Sequence, residues 1–402
     1  MKKIFLMIIF IFLTNSNHFC DLKITLNVQA KGKRKIPVII ENFSSLNPAL
    51  NNFAKKIQSI IKRDLIFSEN IKFSNENSEF LIKGEISKKQ NQILLKLTVR
   101  DLFLKQDSLI KYYSGSINVL TRIAHRASND ILQIITGKKS IFEDKILYVD
   151  DITGKKQIYL MDYDGLNVKR LTFSKSIATS PVIYKDYLLY TSFLTGRARV
   201  VMKVLNTGVK KIIIKLGSFS ASPDISQDGK KIIAMFGENG NSDIGLFNLN
   251  GKLLKVISKT EFDEVSPKFS HNGNMIAFVS DRTGSPQVYV YNIKTGKTTR
   301  VSFGYNYCCY PSWGANDNYV YYSALIGNSY KIFRNSLNLF HIEEITEGEY
   351  PDVSKNNKFL IFTRNVNGFY QIFIKNLETG NEYQITNTKS NKYFPRWYYG
   401  KY

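Results

Sequence analysis

A proline returns in matched context at Pro181, Pro223, Pro267, Pro311, Pro351 and Pro395, at spacings of 40 to 44 residues. A period of that length marks one supersecondary unit repeated side by side. Each proline is read as opening a short strand. A turn follows, as in Gln227-Asp228-Gly229, His271-Asn272-Gly273, Asn316-Asp317-Asn318 and Asn356-Asn357. Next comes an apolar strand, as in Leu188-Leu189-Tyr190, Ile232-Ile233-Ala234, Ile276-Ala277-Phe278, Val320-Tyr321-Tyr322 and Leu360-Ile361-Phe362. Gly154, Gly196, Gly240, Gly284 and Gly368 then turn the chain into a third strand, which hairpins into a fourth through turns such as Asp164-Gly165 and Thr295-Gly296. Turns this tight take Gly, Asn and Asp because they need positive φ.

Four strands in about 44 residues is the blade of a β-propeller. The apolar second strands fit a blade packed between two neighbours. The count also closes. The chain stops soon after Pro395-Arg396-Trp397-Tyr398, a lone first strand, while the repeat region begins at Ile146-Leu147-Tyr148-Val149, a second strand without a first. One C-terminal strand joining three N-terminal strands completes six blades and hides the sheet edges. An open solenoid of hairpins is the competing reading, and these matched ends argue against it.

Residues 21–138 follow another pattern, that of a small α/β domain ahead of the propeller at 139–402. Leu22 to Val28, Ile36 to Glu41, Ile71-Lys72-Phe73, Phe80 to Ile86 and Ile93 to Leu104 read as strands. Pro48 to Leu65 has Leu50, Phe53, Ile57, Ile60 and Ile61 at helical spacing, with Pro48 suited to a first turn. Arg122 to Ile135 is a second helix, ended by Thr136-Gly137.

Residues 1–20 read as a secretion signal. Met1-Lys2-Lys3 is basic, and Ile4 to Leu13 is apolar throughout. Ten apolar residues fall short of the ~20 that span a bilayer and match a signal core. Cleavage is placed after Cys20, with Ala30 as a second candidate. Bulky Phe19 argues against a lipid anchor on Cys20. The remaining cysteines, Cys308 and Cys309, are adjacent, so neither a disulfide framework nor a CxxC metal pattern exists. The net charge is +23, yet the basic residues are scattered singly, which excludes a nucleic-acid stripe.

No catalytic, metal or cofactor site is expected. His18 lies in the signal, His125 on a helix as a packing or capping residue, His271 in a solvated turn and His341 in a hairpin. None has Cys, Asp or Glu at ligand spacing. Gly217-Ser218-Phe219-Ser220-Ala221 fails as a nucleophile elbow at its centre, and no phosphate-binding loop is present. The first-strand positions Ile225, Phe269, Trp313, Val353 and Trp397 read as core rather than as pore-lining catalytic groups. Propeller hydrolases or lyases, and polysaccharide-binding propellers, are the alternative classes.

Several stretches resemble the TolB family of Tol-Pal proteins. They are Arg122-Ile123-Ala124-His125-Arg126-Ala127-Ser128-Asn129-Asp130 with Ile135-Thr136-Gly137, Tyr159-Leu160-Met161-Asp162-Tyr163-Asp164-Gly165, Ser266 to Ser270 through Asp281 to Gly284, and Phe394-Pro395-Arg396-Trp397. The order of signal, α/β domain and six blades is similar too. Tyr307-Cys308-Cys309-Tyr310 departs from the smaller polar residues usual there, and the first domain is short around Asn70 to Ser78.

The resemblance implies a non-catalytic periplasmic scaffold. It would be a monomer on its own, docking the lipoprotein Pal at one propeller mouth and TolA through its N-terminal segment, here Asp21, Leu22, Lys23 and Ile24. Such a complex associates with the outer membrane and serves envelope integrity and cell division. The loops before the first strands would form the Pal-binding rim. They are Phe219, Ser220, Ala221 and Ser222; Asp263, Glu264, Val265 and Ser266; Tyr307 and Tyr310; Glu349 and Tyr350; and Tyr393 and Phe394. Aromatic residues are favoured as contacts, as in most hot spots.

Overall fold

The computed structural model describes residues 34–400 apart from 239 and 340. The signal at 1–20, the strand expected over Leu22 to Val28 and the segment Asp21 to Ile24 lie outside the described residues. No described helix is long and apolar enough to cross a membrane.

The N-terminal unit contains β1 (Ile36–Ile40), α1 (Asn51–Phe67), β2 (Ile71–Phe73), β3 (Phe80–Lys89), β4 (Gln92–Asp101), β5 (Gln106–Gly115) and α2 (Leu120–Thr136). Its sheet runs β2-β1-β3-β4-β5, with β1 parallel to both neighbours and the rest antiparallel. The first helix starts as expected from Pro48, but as one 3-10 turn over Pro48–Leu50 capped by the Asn47 side chain. It buries Ala54, Ile57, Ile61 and Leu65. The second helix buries Ala124, Ala127 and Ile131, and Gly137 closes it at φ 74° with its N–H on Gln133 O. That left-handed cap is where glycine has no steric penalty. The strand expected to reach Leu104 stops at Asp101, whose carboxylate accepts the N–H groups of Phe103 and Leu104 and turns the chain into β5. β5 was not read from the sequence. Most of its side chains are exposed, Ile110 and Tyr112 among them, so it lacks the alternating apolar signal of a half-buried strand.

The remainder is a six-bladed propeller of four-stranded antiparallel sheets. The first strands of blades 1 to 5 are Ala178–Tyr184, Ser220–Ile225, Glu264–Phe269, Cys308–Trp313 and Glu349–Val353. Blade 6 is closed by Lys392–Tyr398 pairing with Lys145–Asp150, which continues into Gln157–Asp162 and Lys169–Arg170. Each first strand touches the next, and Lys392–Tyr398 touches Ala178–Tyr184, so these six strands wall a central channel.

The apolar pairs of the second strands have a clear physical role. Successive strand residues point to opposite faces. Leu188 therefore enters the core between blades 6 and 1 while Leu189 enters the core between blades 1 and 2. Ile232 and Ile233, Val320 and Tyr321, and Leu360 and Ile361 divide in the same way between successive interblade cores. The core between blades 5 and 6 is continuous with the N-terminal unit. Phe67 of α1 packs on Tyr163, Phe359 and Tyr383 with ring centroids 5.2, 5.4 and 4.6 Å apart.

The prolines do not open the first strands; they sit inside them. In every blade the pairing of first and second strand shifts register at the residues around the proline. A missing N–H is tolerated there because the first strand is the sheet edge facing the channel.

Candidate functional site

The residue before each of the six prolines has positive φ: Ser180 50°, Ser222 50°, Ser266 54°, Tyr310 54°, Tyr350 56° and Phe394 51°. Left-handed backbone costs an L-residue about 1–2 kcal/mol, and bulky Tyr and Phe are rare in it. Strain repeated six times around one axis is a reason to look for function there. These six residues and their prolines enclose a constriction of about 50 Å³ in the channel.

The constriction is two-sided. Ser180, Ser222 and Ser266 line one half, and Tyr310, Tyr350 and Phe394 the other. The Tyr310 and Tyr350 rings lie 4.1 Å apart, Tyr350 and Phe394 4.4 Å, and Tyr310 and Phe394 6.1 Å. The Tyr350 hydroxyl donates to that of Tyr310 at 3.2 Å. Tyr307 extends this aromatic side outward and is exposed. Lys156 Nζ sits 3.8 Å from the centre of the Tyr393 ring.

Of the expected rim, only Phe219, Asp263 and Tyr307 precede the first strands; the others lie within them. Ser220, Ala221, Glu264 and Glu349 are buried. Ser220 Oγ donates to Ile214 O at 2.8 Å. Glu264, fully buried, accepts from Arg282, Thr260 and Ser280. Burial pushes the Glu349 carboxyl up to about 7, against the pull of Tyr370 and Lys156. The accessible members are Phe219, Ser222, Asp263, Val265, Ser266, Tyr307, Tyr310, Tyr350, Tyr393 and Phe394. Phe219 is fixed over Gly237, where an added Cβ would fall 2.1 Å from its ring.

Cys308 and Cys309 are buried free thiols on consecutive strand positions, so their side chains leave opposite faces of the strand. Burial pushes the Cys308 thiol up to about 11 and raises Cys309 further. A thiol reagent at neutral pH should leave both unlabelled in the native protein and label both after unfolding. Peptide mapping checks this, and native labelling or a 308–309 disulfide would contradict the strand geometry.

Immediately beyond the prolines lies a belt that the sequence does not announce, since the neighbouring first-strand positions that read as core alternate with it. The belt residues are Val182, Asp224, Lys268, Ser312, Asp352 and Arg396. Phe269, Trp313, Val353 and Trp397 beside them are core as expected, while Ile225 is half-buried. Arg396 Nη1 donates to Asp224 Oδ1 at 2.8 Å, and Asp224 Oδ2 accepts the Phe269 N–H at 2.9 Å. Asp352 accepts Ser312 Oγ at 3.1 Å and the Trp397 N–H at 2.8 Å.

A second polar cluster lies on the opposite face, where the N-terminal unit docks. His125 of α2 was expected to be a packing or capping residue, and His271 to be solvated. The structure places His125 Nδ1 2.8 Å from Asp64 Oδ2 of α1, and Tyr163 donates its hydroxyl to Asp64 Oδ1 at 2.6 Å. His125 Nε2 is 3.4 Å from Asp164 Oδ2, an ion-pair distance without hydrogen-bond geometry. Arg63 also pairs with Asp164. Asp64, His125 and Asp164 bring ligand-type atoms within 4.8 Å of one another. With Nδ1 committed to Asp64 and Arg63 neutralising Asp164, the set acts as an ion network rather than a complete cation shell. His271 is tied across blades to Asp317, which accepts its backbone N–H at 2.7 Å and faces Nδ1 at 3.2 Å. No sequence spacing signals these pairs, whose members are 39 to 101 residues apart.

Comparison with known proteins agrees with this architecture. Residues 132–400 match the family model for the TolB beta propeller domain. A protein TolB homolog of Chlorobium luteolum is 30% identical over 259 residues, 64% of this chain and 58% of that protein. The Tol-Pal system protein TolB of Rickettsia felis is 32% identical over 173 residues, 41% of this chain and 39% of its own length. The chain thus spans little more than half the length of the Chlorobium relative. The crystal structure of TolB from Acinetobacter baumannii superposes with a TM-score of 0.78 at 20% identity, covering 91% of this chain and 97% of that one.

Proposed function

This chain belongs to the TolB family, and from that membership we propose that it is a non-catalytic periplasmic scaffold that docks the lipoprotein Pal on the aromatic mouth. The observation that carries this reading is the ring of six left-handed residues before the prolines, with Tyr310, Tyr350 and Phe394 packed at its rim. Interfaces concentrate their energy in preformed aromatic clusters. A mouth held by sheet edges is preformed, so little ordering is required on binding. The face opposite is taken up at blades 5 and 6 by the N-terminal unit, which supports the aromatic mouth as the docking face. TolA would be engaged by the N-terminal segment containing Asp21, Leu22, Lys23 and Ile24, and the complex would serve outer-membrane integrity and cell division.

Calorimetric titration of the purified chain against the soluble domain of its own Pal tests this. Saturable binding is expected. A Phe219→Ala, Tyr307→Ala double variant should weaken it by about 2 kcal/mol or more. An unaffected double variant would move the site away from this mouth. No binding by the wild type would overturn the Pal assignment.

A further inference from the structure

The belt below the prolines carries two cations and two anions, but their hydrogen-bonding capacity is unevenly used. All four oxygens of Asp224 and Asp352 accept a hydrogen bond from Arg396, Ser312 or a backbone N–H. The cations are less satisfied. Arg396 spends only Nη1 on Asp224. Among the described residues no acceptor pairs with Lys268 Nζ. Burial, with Arg396 as like-charged neighbour, pushes the Lys268 ammonium down to about 8 in spite of Asp224 and Asp352. What Lys268 Nζ lacks is a hydrogen-bond acceptor. The ammonium is partly exposed in the channel, where it can donate charge-assisted hydrogen bonds to an entering carboxylate.

The space next to this gap suits a small molecule. Asp352 and Arg396 line both the constriction and a chamber of about 350 Å³ beyond it. That chamber is within the size range of small-ligand sites. Phe269, Trp397 and Tyr399 supply its apolar wall. An organic anion with its charged end between Lys268 and Arg396 would rest its tail against these rings. Resident Asp224 and Asp352 disfavour a dianion such as phosphate, whose second charge would be repelled.

We propose that the channel of this propeller is a binding site for a small organic monocarboxylate, held at Lys268 and Arg396 with its apolar part in the adjoining chamber. This site lies just inside the mouth, at the constriction that Tyr310, Tyr350 and Phe394 also line, and its test does not depend on partner docking. A planar carboxylate can accept from the Lys268 ammonium and the free edge of the Arg396 guanidinium together.

Both tryptophans of the chain flank the site. Trp313 Nε1 donates to Lys268 O at 3.1 Å, and Trp397 follows Arg396 and lines the chamber. Tryptophan emission therefore gives a readout independent of any activity. The purified full chain is titrated with butyrate and benzoate, and with butyramide and benzamide as uncharged controls. Saturable emission changes are expected with the acids and none with the amides. Lys268→Met should weaken the acid response at least about tenfold, the loss of one hydrogen bond to a charged group. Lys268→Arg should retain it. Unliganded Lys268→Met should unfold at the same urea concentration as wild type, because Lys268 Nζ makes no hydrogen bond or ion pair among the described residues. That outcome separates loss of the ligand from loss of the fold. Equal responses to acids and amides, an undiminished response in Lys268→Met, or no saturable response in wild type would each overturn the proposal. A response that does not saturate and survives in Lys268→Met is an adventitious additive effect only, and overturns it too.

Discussion

Lys392→Ala will destabilise the chain by about 3–5 kcal/mol, the range for breaking a buried ion pair from one side. Lys392 opens the closing strand and is 1% exposed. Its ammonium makes an ion pair with Asp150 at 3.0 Å and donates to Thr388 Oγ1 at 2.6 Å, Ser390 Oγ at 2.7 Å and Ser390 O at 3.2 Å. These contacts join the two ends of the propeller sequence, since Lys392 pairs in register with Asp150 of the strand Lys145–Asp150. Removing the ammonium strands the Asp150 carboxylate in a dry seam. The Asp150→Asn, Lys392→Met double variant should recover most of the loss, because no charge then stays buried alone. Urea midpoints of the four proteins form the double-mutant cycle. A single variant within about 0.5 kcal/mol of wild type, the range of an ordinary surface change, would show that the seam does not depend on this pair.

Asp64→Ala should have a comparable effect, about 3–5 kcal/mol, at the joint between the N-terminal unit and the ring. It would leave the Tyr163 hydroxyl and His125 Nδ1 buried without their acceptor. The same cluster makes the joint sensitive to pH. Burial disfavours the charged imidazole of His125, but the hydrogen bond and charge of Asp64, joined by Asp164 and Asp162, outweigh it and raise its pKa above the usual 6.5. A group raised on folding binds its proton more tightly in the native state. Its contribution is therefore complete below about pH 6.5 and is lost as pH climbs through the raised native value. Wild type should lose stability relative to His125→Gln across that interval, and the two curves should run parallel below it. Urea unfolding of both proteins as a function of pH measures this. Parallel curves throughout would mean that His125 does not change charge in the folded protein.

Much of the architecture could be read along the chain. The six prolines, the paired apolar residues of the second strands and the glycine turns repeat because every blade meets the same neighbours. A lone first strand at the C-terminus and a second strand at Ile146 implied the closing seam, which the pairing of Lys392–Tyr398 with Lys145–Asp150 bears out. β5 escaped notice because an edge strand with an exposed face carries little hydrophobic alternation. The prolines lie two or three residues inside the first strands and do not open them, which was not legible because a register shift in the ladder has no composition signal.

The candidate sites divide the same way. That loops converge on a propeller mouth follows from topology, and Tyr307, Tyr310, Tyr350 and Phe394 were legible as aromatic residues around the repeated proline. Their stacking across blades 4, 5 and 6 was not, because it joins residues some 40 positions apart. The belt of Val182, Asp224, Lys268, Ser312, Asp352 and Arg396 was in plain view, one residue after each proline. Which of two alternating positions faces the channel depends on the bulge before it.

The sequence by itself determined the blade, its number and the closure of the ring, because these rest on local periodicity repeated in every unit. The tertiary structure alone decided that His125 meets Asp64 and Asp164, that the N-terminal unit extends the core between blades 5 and 6, and that Lys268 stands unpaired in the channel. Those are contacts between side chains far apart along the chain. Their energies depend on burial and partner geometry, and these exist only once the ring has closed.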